Sequence, residues 1–288
     1  MIQFSKALPR FLLSALALIA CGCSAEEASP GQADQINLSG LNGKLVLTGS
    51  STMFPLIQEI ARRFEAQHPE VHFEIQMGGS LRGISDARQR KADIGMSSRA
   101  LNDNEHELFA YPIARDGVCF IVHADNPVQS LTDRQLADIY RGKVTNWKDV
   151  GGKNSTVTVI SRTETRSELE LVENSLHINR REIKAQSLAG DNPVAIDAVA
   201  KDPNAIVFVS VGEAERCKKA GAPLKLLPAD GIAATEGNVR SGSFPLSRSL
   251  VLVTSDFPAG LKKAFIDFAL SPQMTDLIRK YSFVPFVD

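Results

Sequence analysis

The chain has 288 residues, a formal net charge of −1, 23% charged side chains and 43% hydrophobic ones. So balanced a charge leaves no broad basic field, which argues against nucleic acid or another polyanion as partner. At roughly 150 residues per domain, the length suits two lobes with cores of their own.

Lys6 and Arg10 precede an apolar run from Phe11 to Ala20, which ends at Cys21-Gly22-Cys23. A basic start and a short apolar stretch mark a secretory signal, too short to span a membrane. Leu18-Ile19-Ala20-Cys21 is similar to the lipobox of bacterial lipoproteins. That likeness implies a signal peptide over 1–20 and lipidation of Cys21; Cys23, or an ordinary signal cut elsewhere, is the alternative. Residues 21–42 read as a lipidated flexible tether, whose portion 24–42 spans roughly 70 Å when fully extended.

The run from Lys44 to Thr48 reads as a strand. Gly49-Ser50-Ser51-Thr52-Met53-Phe54 follows, and Pro55 opens a helix with Leu56, Ile57, Ile60, Ala61 and Phe64 on one face. Strand, small hydroxyl loop and helix N-terminus make an oxyanion site. Orphan backbone N–H groups and the positive helix end point at one spot, and Ser and Thr hydroxyls add neutral donors. The structural alternative is an ordinary helix cap. The pattern then recurs. Val71 to Met77 alternates as a strand before Gly78-Gly79-Ser80 and a helical pattern with Leu81, Ile84 and Ala87. Ala92-Asp93-Ile94-Gly95-Met96 is a third short apolar run, closed by Ser97-Ser98-Arg99. Three hydroxyl loops at the C-terminal ends of parallel strands would meet in one crevice of an open α/β sheet, which favours a shared site over three separate caps.

Farther on, Val118–His123 reads as a strand, Asp125-Asn126-Pro127 as a turn, and Leu131–Tyr140 as a helix capped near Thr132-Asp133. Gly142 to Trp147 reads as a loop, with Trp147 as a packing plug. Strands are expected at Val157–Ser161, Asn204–Ser210 and Ser249–Thr254, and helices from near Glu168, over Val211–Cys217, and from Gly260 to Arg279. Alternating strands and helices predict an α/β fold. Cys119 reads as a buried small hydrophobe, and an oxidising compartment permits but does not require a bridge to Cys217. Enzyme signals are poor. Gly78-Gly79-Ser80-Leu81-Arg82 misses G-x-S-x-G at its last position, and His68, His72, His106, His123 and His177 show no metal-ligand spacing. Neither a metal nor a cofactor is expected.

The chain resembles the periplasmic phosphate-binding proteins of phosphate ABC importers. The likeness rests on Gly49-Ser50-Ser51-Thr52, Gly79-Ser80-Leu81-Arg82-Gly83-Ile84 and Ala92-Asp93-Ile94-Gly95-Met96-Ser97-Ser98-Arg99. It continues through Gly190-Asp191-Asn192, Asp202 to Ile206, Val209 to Ala214, Asp230-Gly231, Ser243-Phe244-Pro245-Leu246-Ser247-Arg248 and Phe265 to Pro272. It implies a two-lobed type 2 periplasmic-binding-protein fold, α/β, each lobe a mixed, mostly parallel sheet flanked by helices and joined by hinge strands. Lobe I would be 43–113 plus 249–288, and lobe II 114–248.

The resemblance also implies phosphate held between the lobes by Ser51, Thr52, the Met53 backbone N–H, Ser80, Ser98 and Arg99, with Arg162, Thr165, Arg166 and Ser167 from lobe II. Ser98 stands where many relatives place an Asp. The lobe II loop runs Arg162-Thr163-Glu164-Thr165-Arg166-Ser167, lacking the Gly-Ser-Gly typical before Thr-Arg. Glu164 is expected either to pair with one of these arginines or to face the anion; a plain surface ion cluster is the alternative for all three. The implied role is a monomeric, membrane-anchored lipoprotein of the bacterial envelope, facing the periplasm or extracytoplasmic space, that delivers phosphate to an ABC permease. The competing expectation, motivated by the shortened loop, is a phosphate-responsive or ligand-less lipoprotein acting as a sensor, signalling or adhesion scaffold.

Overall fold

Ten strands and nine α-helices alternate along the described residues, 40–286, of the computed structural model. The expected signal peptide, Cys21 and all but the end of the tether lie outside these residues. In chain order the elements begin with β1 (Gly43–Gly49), α1 (Phe54–Gln67), β2 (Val71–Met77), α2 (Ser80–Arg88), β3 (Ile94–Ser97) and β4 (Phe109–His123). There follow α3 (Asp133–Tyr140), β5 (Thr158–Arg162), α4 (Ser167–Leu176), β6 (Ser187–Ala189), α5 (Asn192–Lys201), β7 (Ala205–Ser210) and α6 (Val211–Lys219). The chain closes with β8 (Leu224–Leu226), α7 (Glu236–Arg240), β9 (Ser247–Thr254), α8 (Gly260–Leu270), α9 (Thr275–Lys280) and β10 (Val284–Pro285).

The strands join in the order β2-β1-β3-β9-β4-β7-β5-β6, with β10 and β8 also on β4. The outer strands of each half pair in parallel: β1 with β2 and β3, and β5 with β6 and β7. β9 and β4 are antiparallel to their neighbours. β4 belongs to both halves. Its residues 109–117 pair with β9, and Val118 to Val122 pair with β7. At 15 residues it is much longer than the Val118–His123 expected. Pro112, Arg115, Asp116 and Gly117 break the apolar signal, yet the ladder absorbs Pro112 through a register shift before Ala114.

Two large apolar clusters match the two halves. One gathers Leu47, Leu56, Ile60, Phe64, Leu252 and Phe265, and the other Phe120, Tyr140, Val159, Ile196, Phe208 and Phe244. Trp147 plugs the second, 1% exposed, with its Nε1–H donated to the Asn204 carbonyl at 2.9 Å. Cys119 is buried as expected, and both Cys119 and Cys217 are free thiols. The expected helix from Gly260 to Arg279 is two helices. Ser271, which precedes Pro272, takes ψ 151°, because the proline ring disfavours α geometry there.

α2 packs so closely on β1 and β3 that only glycine fits at its contact. A Cβ on Gly83 would stand 2.6 Å from the Met96 carbonyl and 2.7 Å from that of Thr48. Gly83→Ala should therefore lower stability by about 1–3 kcal/mol in urea unfolding. Gly237→Ala in α7, whose Cβ would meet nothing nearer than Thr235 Oγ1 at 3.9 Å, should be neutral or stabilising by up to ~1 kcal/mol. Equal loss in both variants would contradict the close packing.

Candidate functional site

The C-terminal ends of β1, β2, β3 and β5 bring four serine hydroxyls together. Ser98 Oγ lies 3.0 Å from Ser50 Oγ, 3.2 Å from Ser80 Oγ and 2.9 Å from Ser167 Oγ, and Ser80 is 3.2 Å from Ser167. Ser80 Oγ also accepts the Ser98 backbone N–H at 3.0 Å. Ser50, Ser80, Ser98 and Ser167 are all at most 3% exposed. Ser80 and Ser167 are the first residues of α2 and α4, and Ser50 accepts the Met53 N–H at 3.2 Å just before α1. Three helix N-termini thus converge here, adding partial positive charge without a formal cation. Gly79, at φ +89°, lets α2 start where it does.

Beside the serines lies a buried ionic network centred on Arg248 of β9. Its guanidinium donates to Asp116 Oδ2 at 2.8 and 3.1 Å, Glu168 Oε1 at 3.1 Å, Ser167 Oγ at 3.1 Å and Thr52 Oγ1 at 3.2 Å. Thr52 donates its own proton to Glu168 at 3.0 Å and accepts from Asn192 Nδ2 at 3.1 Å. Its hydroxyl is already fully engaged. Burial alone would raise the Glu168 pKa, but Arg248 and then Arg162 outweigh it and hold the group at about 2. At Asp116 burial wins over Arg248 and the pKa is raised. Burial disfavours the charged form of Arg248, and Glu168 and Asp116 more than offset it, so that its pKa is raised.

The expected residues divide by position. Ser80, Ser98 and Ser167 meet in the hydroxyl cluster, with the Met53 N–H on its Ser50 edge. Thr52 sits in the Arg248 network. Ser51 accepts from Arg166 Nη1 at 2.9 Å, which ties β1 to the 162–167 loop, and Arg166 Nη2 lies 2.8 Å from Asp191 Oδ1. Arg162 is 1% exposed and turned inward, donating to Asn192 Oδ1 at 2.9 Å and to the Phe208 and Gly190 carbonyls at 3.2 and 3.1 Å. It reaches the site through Asn192 and Thr52. Thr165 is exposed, and its carbonyl accepts the Leu81 N–H at 3.4 Å. Arg99 turns away to Glu105 at 2.7 and 2.8 Å. Glu164 is exposed and makes no ion pair with Arg162 or Arg166, so the expected pairing does not hold, and the burial of both arginines rules out a surface ion cluster. The carboxylate that does face the site is Glu168, one residue into α4.

Ser50, Asp116, Glu168, Asn192 and Arg248 were not among the expected ligands. Ser50, Asn192 and Arg248 fall inside stretches that carried the resemblance; Asp116 lies two residues before the strand expected at Val118–His123, and neither it nor Glu168 gave such a signal. A cavity of about 180 Å³ opens from Ser98, Ser167 and Arg248 toward Arg99, Asn102 and Glu170. Among the described residues no cluster of His, Cys, Asp and Glu could hold a metal ion.

The profile of the PBP superfamily domain matches residues 25–273. The chain belongs to the PBP superfamily. Its fold is the two-lobed α/β type 2 periplasmic-binding-protein architecture. A Clostridium perfringens protein described as a phosphate ABC transporter substrate-binding protein, crystallised with bound phosphate, superposes with a TM-score of 0.76 at 30% identity, over 84% of this chain and 99% of that one. An ABC-type phosphate transport receptor from Vibrio cholerae gives 0.69 at 28% identity, over 83% and 99%. The phosphate-binding protein PstS of Bacillus subtilis is 25% identical over 293 residues, 99% of this chain and 95% of its own.

Because the folded pKa of Glu168 lies below its ordinary value of 4.5, its ionised form stabilises the fold above that value, and the contribution is lost as pH falls toward 2. The stability gap between the protein and Glu168→Gln, followed by urea unfolding, should therefore narrow steadily from pH 5 to pH 2. A constant gap would mean that the charge of Glu168 is not what the network uses.

Proposed function

We propose that this chain captures inorganic phosphate between its lobes and presents it to a membrane ABC permease. The observation that carries this reading is the meeting of four serine hydroxyls and three helix N-termini at one buried point between the two apolar cores. Such a point suits a small tetrahedral anion. Its formal charges are already balanced, Arg248 and Arg162 against Asp116 and Glu168, and Arg166 against Asp191. The anion's charge therefore falls to neutral donors and helix ends. Each charge-assisted hydrogen bond contributes about 1.5–3 kcal/mol, and several of them, less the entropy of binding, are enough for micromolar affinity.

The lobes take the boundaries 43–113 with 249–288, and 114–248, with β4 and β9 as the strands that pass between them. Ser50, Ser80, Ser98 and Ser167 line the anion site with Arg248, and the Met53 N–H lies on its Ser50 edge, while Thr52 and Ser51 hold the surrounding network and Arg162 and Arg166 act from behind through Asn192 and Ser51. The protein works as an extracytoplasmic monomer anchored through Cys21, without catalysis. The hydroxyls' neighbours are other hydroxyls, backbone groups and guanidinium, and the carboxylate on Thr52 is too acidic to serve as a base. The scaffold reading loses its motive, since the shortened 162–167 loop still carries Ser167 into the cluster.

Titration calorimetry of the full chain with phosphate should give one site per chain, and Ser80→Ala should weaken it by about 1–3 kcal/mol by leaving a ligand oxygen unpaired. Sulfate in a parallel titration measures selectivity. No heat with either anion would favour the scaffold, and an unchanged dissociation constant in Ser80→Ala would remove Ser80 from the site.

A further inference from the structure

Arg99 and Asn102, on the loop after β3, form with Glu170 of α4 a second junction between the two halves, outside the hydroxyl cluster. Arg99 is first fixed within its own half. Its two terminal nitrogens hold Glu105 at 2.7 and 2.8 Å, and Nη1 also donates to the Ala100 carbonyl at 2.7 Å. Glu105 in turn accepts the Asn102 N–H at 2.8 Å. This leaves the Arg99 Nε edge facing the other half. It lies 3.0 Å from Glu170 Oε2, a charge contact rather than an aligned hydrogen bond. The second oxygen, Glu170 Oε1, accepts from Asn102 Nδ2 at 3.3 Å. Both oxygens of one carboxylate are therefore held by one loop of the opposite half.

The position of this junction gives it a role. Glu170 stands three residues after Ser167 on α4, so the two side chains share a helix face. Ser98 immediately precedes Arg99. The cavity that opens from Ser98 and Ser167 is walled at its outer end by Arg99, Asn102 and Glu170. We propose that Glu170 is a latch, a positioning residue that keeps the lobes closed over the anion and sets how fast it leaves. The inference rests on the phosphate reading above.

Its strength is graded by its surroundings. The side chain of Arg99 is 12% exposed and that of Glu170 33%, so the pair is only partly shielded from solvent. Arg99 is also shared, since Glu105 already neutralises it. Glu170 thus gains less than a full ion pair, which suits a contact that has to open whenever ligand is passed on. Opening the lobes pulls α4 away from the loop after β3 and breaks both contacts at once, whereas capture from an open form does not require them.

Stopped-flow phosphate binding and release on the full chain tests this. Glu170→Gln should release phosphate about three- to fivefold faster, with association within about twofold of the parent. Release from the parent should speed up with added salt, and that dependence should be lost in Glu170→Gln. Asn102→Ala should also speed release, and the double variant should fall short of the product of the two effects because both act on one carboxylate. Normal phosphate binding with an unchanged release rate in Glu170→Gln would overturn the latch while leaving the phosphate reading intact. An equal fall in the melting temperature of phosphate-free Glu170→Gln, with no kinetic change, would likewise assign Glu170 a purely structural role. Failure of the parent to bind phosphate at all would instead remove the reading on which the latch rests.

Discussion

Arg248 has to satisfy two buried carboxylates while also reaching Ser167 through Nη1 and Thr52 through the Nη2 it shares with both acids, and most of the molecule is arranged so that it can. Asp116 comes from β4, Glu168 from the first turn of α4, Thr52 from the loop after β1, and Arg248 itself from β9. Buried charges are tolerated only when paired and hydrogen-bonded with good geometry, so each of these elements is held in register by the others. Asp116 and Arg248 face each other across the β4–β9 ladder, and Asp116 also accepts the Gly212 N–H at the start of α6. The strands that join the lobes thus carry the ion pair that organises the cleft.

The balance of charge explains how a chain of net charge −1 comes to suit a small anion. The three arginines buried around the site do not present a bare positive field. Arg248 and Arg166 are matched by acids, and Arg162 is turned into the second lobe, where burial lowers its pKa. What remains is polar but neutral: serine hydroxyls and the N-terminal ends of α1, α2 and α4. Such donors bind an oxyanion through direction and distance rather than through bulk attraction, which favours a small ligand with oxygens on every side over a generic polyanion.

The hydroxyl loops were legible because two local signals coincide in them. A strand period ends at a Gly or Ser, and a helix period starts within a few residues, so Ser51, Ser80 and Ser98 could be placed before any contact was known. The second lobe was harder to read. Residues 162–167 place two arginines, one exposed acid and several hydroxyls within a few positions, and nothing local says which side chain turns inward. Glu164 and Glu168 are equally acidic as text. Only the start of α4 at Ser167 turns Glu168 toward Arg248 and leaves Glu164 in solvent. The 15-residue length of β4 was hidden for a related reason, since Pro112 and Asp116 look like the end of a strand until the bulge and the Arg248 pair are known.

The sequence by itself determined the alternation of strands and helices, the three hydroxyl loops of the first lobe and the burial of Trp147 and Cys119, because each follows from periodicity or composition within a short window. The tertiary structure alone decided that Arg162 supports from within, that Arg99 reaches across to Glu170, and that Arg248 joins Asp116 to Glu168 over 132 and 80 residues of chain. Those pairings depend on which faces two packed lobes turn toward each other, and a one-dimensional pattern carries no record of that orientation.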